Sequence, residues 1–262
     1  MERPVTLEEL KRIAVSVGER HGWDFSRMRT DRDPVPWDYA DVVRRYLQPS
    51  SQVLDIGTGG GEQFLALAPC FGAGVGIDAD PTMIQVAQEN TPPSLADRVS
   101  FDVMRAETLR FPDAAYDVVL NRHASVYVEE IVRVLRSDGI FITQQVGGRN
   151  TQNIFSVFGW GSNGEYWSKY WRERGFFPQD VATMNEAFHQ AGCTVIARAE
   201  YDVRYYFLDV ASLVFWFKSV PLPEDFNVEK HWRQVARIIT EYRTPKGVET
   251  NEHRELLIVR KR

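Results

Sequence analysis

The residues most able to do chemistry cluster at one point of the chain. The stretch Val53-Leu54-Asp55-Ile56-Gly57-Thr58-Gly59-Gly60-Gly61-Glu62 sets a carboxylate just ahead of a glycine-rich turn. Glycine tolerates positive φ and lets a ligand approach the backbone closely. In an open α/β sheet such a turn forms a crevice at the carboxyl end of a strand. Asp55 then selects the ligand by charge. It would repel the pyrophosphate of a dinucleotide and attract an ammonium or a sulfonium, which favours S-adenosylmethionine (SAM) over NAD. Asp78 follows on the next strand and can accept both hydroxyls of a ribose, or cap a helix or turn. Ala106-Glu107-Thr108-Leu109 follows the third strand, beside the position of an adenine ring, though Glu107 is equally readable as a solvated charge. His123, after the fourth strand, is the candidate catalytic base if the acceptor must lose a proton. Its other reading is to orient the loop or touch substrate. Arg122 either binds an anionic substrate or pairs with a surface acid.

These positions need a scaffold, and the surrounding pattern supplies one. Short apolar strands are expected at Gln52–Ile56, Ala73–Ile77, Arg98–Val103, Tyr116–Leu120 and Ile140–Val146. Helices are expected between them at Glu62–Ala68, Pro81–Asn90 and about Val126–Leu135. Asp80 is placed to cap the second, with Pro81 at its first position. Strands alternating with helices imply a doubly wound parallel sheet covered on both faces. Thr6 and Glu9 have capping-box spacing for a helix over Thr6–Arg20, and Trp37–Leu47 reads as another. Beyond Gly147 the pattern is less regular. Aromatic residues crowd Trp160–Trp171, helices are expected at Asp180–Ala191, Asp209–Val220 and Val228–Tyr242, and a terminal strand at Glu255–Val259. The expected organisation is an N-terminal helical cap over 1–50, a cofactor-binding core over 51–148, and a substrate-side remainder over 149–262. The aromatics of Trp160–Trp171 and Tyr205–Trp216 read either as a lid over an apolar or planar acceptor or as an accessory core, and Trp23, Phe25, Trp37 and Tyr39 read either as closing over SAM or as ordinary helix packing.

Charge and composition narrow the function. A net charge of −5 argues against gripping nucleic acid by charge. Cys70 and Cys193 have no metal-like spacing, and the five histidines are scattered, so no metal is expected. Two separated thiols and a charged N-terminus without an apolar stretch point to a cytoplasmic protein with no secretory signal. The longest apolar run, near Val210–Phe217, is too short to span a bilayer.

Over Gln52–Val146 the sequence resembles the class I SAM-dependent methyltransferases, and is most similar to the ubiquinone/menaquinone-biosynthesis type. The motifs are the 53–62 stretch, Val-Gly-Ile-Asp at 75–78, and Arg-Ala-Glu-Thr-Leu-Arg-Phe-Pro at 105–112. Tyr-Asp-Val-Val at 116–119 and Glu-Ile-Val-Arg-Val-Leu-Arg-Ser-Asp-Gly at 130–139 complete the set. The resemblance implies a mainly parallel seven-stranded Rossmann-like sheet, with Glu255–Val259 as its antiparallel strand. It implies that Asp55 and the Gly57, Thr58 and Gly59 backbone hold the methionine end of SAM, and that Asp78 and Ala79 meet the ribose. It further implies that Ala106 and Glu107 edge the adenine, and that Asn121 to His123 lie beside the ammonium and the reacting methyl. The product would be S-adenosylhomocysteine and the partner a small molecule. Met104 and Arg105 depart from the family's usual Gly-Asp before Ala106, which shifts adenine recognition toward Glu107 or the backbone.

Other functions stay open at this level. They are an RNA or protein methyltransferase, a non-catalytic SAM-binding protein, and an NAD-dependent oxidoreductase, which Asp55 disfavours. The Asn121-Arg122-His123-Ala124 stretch is not the Asn-Pro-Pro-Tyr type expected for methylation of a flipped adenine or a glutamine. Gln144 and Gln145 end the fifth strand, and alternation turns one of them toward the site.

Overall fold

A computed structural model describes residues 3–160, 180–220 and 222–262. Tyr166, Trp167, Tyr170 and Trp171 of the aromatic cluster lie outside the described residues. The chain forms two compact units. The larger takes the described residues of Pro36–Gly147, Trp167–Tyr201 and Arg254–Arg262; the smaller takes those of Met1–Val35, Gly148–Tyr166 and Asp202–His253. The units interleave along the chain, whereas the sequence reading divided it linearly at 50 and 148.

The larger unit is an α/β sheet. Its strands are β2 (Gln52–Ile56), β3 (Ala73–Asp78), β4 (Val99–Val103), β5 (Tyr116–Arg122) and β6 (Leu135–Val146), joined by parts of β7 (Thr194–Phe207) and β9 (Gly247–Arg260). Their order is β4-β3-β2-β5-β6-β9-β7. β2 pairs in parallel with β3 and β5, and β5 with β6, while Arg254–Arg260 runs antiparallel to β6. Val53 and Leu54 are fully buried and Ile56 nearly so, which is what a central parallel strand covered on both faces requires. Side-chain alternation sorts the apolar residues into two cores. Val53, Val118, Leu120, Ile142 and Ile258 pack on one face with helices α2 (Tyr39–Arg44), α3 (Glu62–Leu67) and α4 (Pro81–Glu89). Leu54, Ile56, Val119, Phe141 and Leu257 pack on the other with α5 (Val128–Val134) and α7 (Val181–Gln190).

Among the described residues the smaller unit gathers four helices around its own core: α1 (Leu7–Val17), α6 (Gln152–Phe158), α8 (Val210–Ser219) and α9 (Val228–Glu241). Leu10, Ile154, Leu213, Phe217, Val235 and Ile238 form that core. The capping box expected at Thr6 and Glu9 is present. Phe207 and Phe215, from Tyr205–Trp216, are buried in this core beside Phe217.

Among the described residues the sheet of the larger unit contains these seven strands, and two short strands of the smaller unit pair with the parts of β7 and β9 that lie there. β7 and β9 run 14 residues each, well beyond the usual strand, so their outer ends take further partners. In the smaller unit, β1 (Thr30–Arg32) pairs antiparallel with Tyr205–Phe207, and β8 (Arg243–Thr244) with Gly247–Val248. Among the described residues no helix is long and apolar enough to cross a membrane.

Candidate functional site

The glycine turn leaves β2 in three left-handed steps: Gly57 at φ 75, Gly59 at φ 57 and Gly61 at φ 75. Side chains rarely adopt this conformation, so glycine is required. A Cβ on Gly57 would stand 2.3 Å from the Cβ of Ala124, so the turn after β5 lies directly against the turn after β2. The hydrogen bonds of the loop run inward. Gly57 N and Thr58 N both donate to Ile77 O at 2.9 Å, Gly59 N to Asp78 Oδ2 at 3.0 Å, and Gly61 N to Thr58 O at 3.1 Å. The carbonyls of Gly57 and Gly59 accept no hydrogen bond among the described residues. A phosphate cradle presents N–H groups to its ligand. Here the donors of Gly57, Thr58, Gly59 and Gly61 are used, and the carbonyls of Gly57 and Gly59 are free acceptors, which suit a cation.

Asp55 sits within β2, in register with Gly76 of β3 and Leu120 of β5. It is buried, and burial pushes its carboxyl up to about 6, with the charge of Asp78 adding and that of Arg122 opposing. A buried carboxylate without an ion pair is unfavourable unless something cationic joins it. Asp78, half-buried at the end of β3, is also raised by burial, partly offset by N–H donation from Asp80 and Gly59. Asp80, not Asp78, caps α4, accepting from Thr82 N at 2.8 Å. Asp78 is therefore the brace of the glycine loop, with carboxylate lone pairs to spare. Ala79 beside it is exposed, and Thr58 is buried.

Asn121 is completely buried, and its side chain is occupied by the protein. Its Oδ1 accepts from Thr143 Oγ1 at 3.1 Å and Gln145 Nε2 at 2.8 Å, and its Nδ2 donates to Ser125 O at 3.1 Å. These bonds tie the 121–125 turn to β6. His123 in that turn is held at φ 61, with its N donating to Gln144 O at 3.0 Å. Its Nε2 is buried and has no hydrogen-bond partner. Burial, then the nearby Arg122 and Arg254, holds its imidazole well below the usual range, so the ring is neutral at physiological pH.

Alternation places Arg122 on the same face as Leu120, Val118 and therefore Asp55. Its guanidinium carbon lies 5.9 Å from the Tyr39 ring centroid. Tyr39 is buried, its hydroxyl shared between Asn121 O at 3.3 Å and Ile142 O at 3.4 Å, and burial followed by the Asp55 charge drives its phenol upward. From sequence, Tyr39 has two readings, closure over SAM or ordinary helix packing. The two glutamines also separate. Gln144 faces the Asp55 side and accepts from Trp37 Nε1 at 3.0 Å, whereas Gln145 joins the Asn121 network.

At the adenine-side position, Ala106 packs partly buried against the core. Glu107 is half-buried and accepts from Arg105 Nε at 2.6 Å, so the side chain at the departure from the family motif holds the glutamate.

Residues 54–143 match the family described as the methyltransferase domain. YcgJ of Bacillus subtilis, described as an uncharacterized methyltransferase, is 36% identical over 98 residues, covering 35% of this chain and 39% of that protein. Its solved structure superposes with TM-score 0.59 at 17% identity, covering 86% of this chain and 98% of the other, which is a likeness of fold. Ribosomal protein L11 methyltransferase of Dictyoglomus thermophilum is 30% identical, covering 45% of this chain and 40% of that protein. Phosphoethanolamine N-methyltransferase 1 of Arabidopsis thaliana is 29% identical, covering 62% of this chain and 32% of that protein. The matched stretches are thus well under half the length of these relatives.

Proposed function

Over residues 54–143 the chain belongs to the class I SAM-dependent methyltransferases, and from that premise we propose that it methylates a small-molecule acceptor. The observation that carries this reading is the polarity of the loop. A buried Asp55 stands beside a turn in which the N–H groups of Gly57, Thr58, Gly59 and Gly61 are bonded within the protein and the Gly57 and Gly59 carbonyls are free. That arrangement suits the ammonium of a methionine end and does not suit a pyrophosphate.

SAM, when bound, supplies a methyl group already activated on a sulfonium. The residues of the chain then bind and align. Asp55 and the carbonyls of Gly57 and Gly59 take the ammonium, beside the buried Thr58. Asp78 takes the ribose hydroxyls next to Ala79. Ala106 and Glu107 edge the adenine, with Arg105 fixing the glutamate. Asn121 contributes by pinning the 121–125 turn rather than by offering its amide, because every polar atom of that amide is already used. His123, kept neutral, can accept a proton or a hydrogen bond from an acceptor, but its lowered basicity makes it a weak base. Alignment in a dry pocket is therefore the main contribution of the protein. The reading uses no metal, and a cytoplasmic setting rests on the two widely separated cysteines.

A small molecule is favoured by the phosphoethanolamine N-methyltransferase relative, and a protein acceptor by the ribosomal protein L11 methyltransferase relative. The acidic net charge gives no support to a nucleic-acid acceptor. Incubation with methyl-labelled SAM and a fractionated cell extract separates these cases. The proposal expects S-adenosylhomocysteine to accumulate and label to appear in the metabolite fraction. Label in the protein or RNA fraction would replace the acceptor class, and SAM binding without any product would make the chain a non-catalytic binder.

A further inference from the structure

Arg122 stands out among the charges around the candidate site. It ends β5, in register with Gln144 of β6, on the face of the sheet that carries Asp55 and Tyr39. It is half-buried, and its Nε is enclosed without a hydrogen-bond partner. It makes no ion pair among the described residues, and its one described contact is the Tyr39 ring. Most other arginines of the larger unit are engaged: Arg133 by Glu130 and Asp113, Arg136 by Asp117, Arg110 by Asp102, Arg105 by Glu107. Guanidinium groups are always charged, and an enclosed donor left unmet is unfavourable unless a ligand completes it.

The neighbours of Arg122 set the sign of that ligand. Asp55 bears on it electrostatically, without an ion pair, and the methionine ammonium would occupy that carboxylate. Asp78 braces the loop and lies toward the ribose. His123 is neutral and next in sequence, and Arg254 adds a second positive charge near His123. The carboxylate of SAM offsets its sulfonium, so with the ammonium on Asp55 the Arg122 charge is left without an ion-pair partner among the described residues. An anion on the acceptor restores the balance, and a planar guanidinium recognises carboxylate or phosphate by paired hydrogen bonds.

We infer that Arg122 is the specificity-determining anchor for an anionic group, a carboxylate or a phosphate, on the methyl acceptor. The inference rests on the methyltransferase reading for the word acceptor. The anion site itself is a property of the protein that is measurable without turnover.

The test titrates malonate and inorganic phosphate, with glycerol as the neutral comparison, into the full chain by calorimetry at low salt and pH 8. Each titration is run on the free protein and on protein saturated with S-adenosylhomocysteine. At this pH Asp55 is ionised whether or not Arg122 is present, which keeps the cofactor side constant. Wild type should bind at least one of the two anions and not glycerol. Arg122→Gln should lose about tenfold or more of that affinity, and Arg122→Lys, which keeps the charge but not the fork, should fall between. Binding of SAM by Arg122→Gln should stay within about threefold of wild type, and this also shows that the variant is folded. Absence of anion binding in wild type, or equal binding in Arg122→Gln, overturns the inference. So does a large loss of SAM affinity in Arg122→Gln with 5′-methylthioadenosine binding unchanged, because Arg122 would then hold the carboxylate of the cofactor. Failure of wild type to bind SAM at all counts against the methyltransferase reading, while the free-protein anion titration still decides the anchor.

Discussion

Replacing Gly57 by alanine tests the contact on which the candidate site is built. Two costs can be worked from the structure. The first is backbone: at φ 75 an alanine sits in the left-handed region, at about 1–2 kcal/mol. The second is packing: the new Cβ would lie 2.3 Å from Ala124 Cβ, where ordinary contact begins at 3.4 Å. One of the two turns must therefore move by about 1 Å, and overpacking of this kind costs about 1–3 kcal/mol. The sum is about 2–5 kcal/mol, to be read from urea unfolding followed by far-ultraviolet circular dichroism. Removing the opposing methyl separates the two parts. Ala124→Gly in the Gly57→Ala background should restore about 1–3 kcal/mol, whereas in wild type it should cost up to about 1 kcal/mol. The backbone part should remain in the double variant. If Gly57→Ala unfolds within 0.5 kcal/mol of wild type, a threshold of about the usual surface-substitution scatter, the tight approach of the two turns is wrong. If Ala124→Gly is equally destabilising in both backgrounds, the coupling is wrong.

Two further outcomes follow from the buried titratable groups. Asp55 has its folded pKa raised to about 6, so the folded state holds this proton more tightly than the unfolded chain. Its contribution to stability is full below the unfolded value and is lost as pH rises through about 6. Asp55→Asn should therefore stabilise the ligand-free protein at pH 8, on the order of 1–3 kcal/mol, and a lower melting temperature would contradict the burial argument. The same substitution should weaken SAM binding by about tenfold or more at pH 8. In wild type, the Kd for SAM should be lowest near pH 7, rise about tenfold per unit below pH 6 as Asp55 takes a proton, and rise again above about pH 8 as the ammonium of SAM loses one. His123, held well below the usual imidazole range, should show a neutral ring by nuclear magnetic resonance down to pH 6; a midpoint near 6.5 would show that the ring is solvated.

The larger unit was largely legible because its signals are local. The bounds of β2 match the expected strand at both ends, and β3, β4 and α4 agree within one residue. Apolar runs between glycines and prolines define such elements without help from distant residues. β9 was expected only at Glu255–Val259, yet it begins at Gly247. Its first half, Glu249-Thr250-Asn251-Glu252-His253, has no apolar alternation to read. Thr250, Glu252 and His253 are buried all the same, because partners far along the chain satisfy them. Thr250 Oγ1 donates to Asn153 Oδ1 at 2.6 Å, Arg32 pairs with Glu252 at 2.9 Å, and His253 N donates to Asn150 Oδ1 at 3.1 Å. Such burial is decided by tertiary contacts and leaves no periodic trace.

The candidate site divides in the same way. The glycines, Asp55 and Asp78 were readable because backbone conformation and ligand charge constrain those positions directly. The inward direction of the loop N–H groups was not, since it depends on Ile77 O and Asp78 of the neighbouring strand. The task of Asn121 was also hidden. Its sequence position suggested a ligand contact, whereas Thr143, Gln145 and Ser125 occupy its amide from across the sheet and the adjoining turn. The two readings of Tyr39, closure over SAM or helix packing, could not be separated from sequence, because an aromatic residue early in a helix fits either.

The central claim, that Asp55 and the glycine turn form a site for a cationic nucleoside rather than a dinucleotide, is tested most directly by calorimetry. Purified protein, first stripped of any bound nucleoside, is titrated with SAM and in parallel with NAD. The account predicts a one-to-one isotherm with SAM and no heat with NAD. Folded, stripped protein that ignores SAM, or that binds NAD instead, would contradict it.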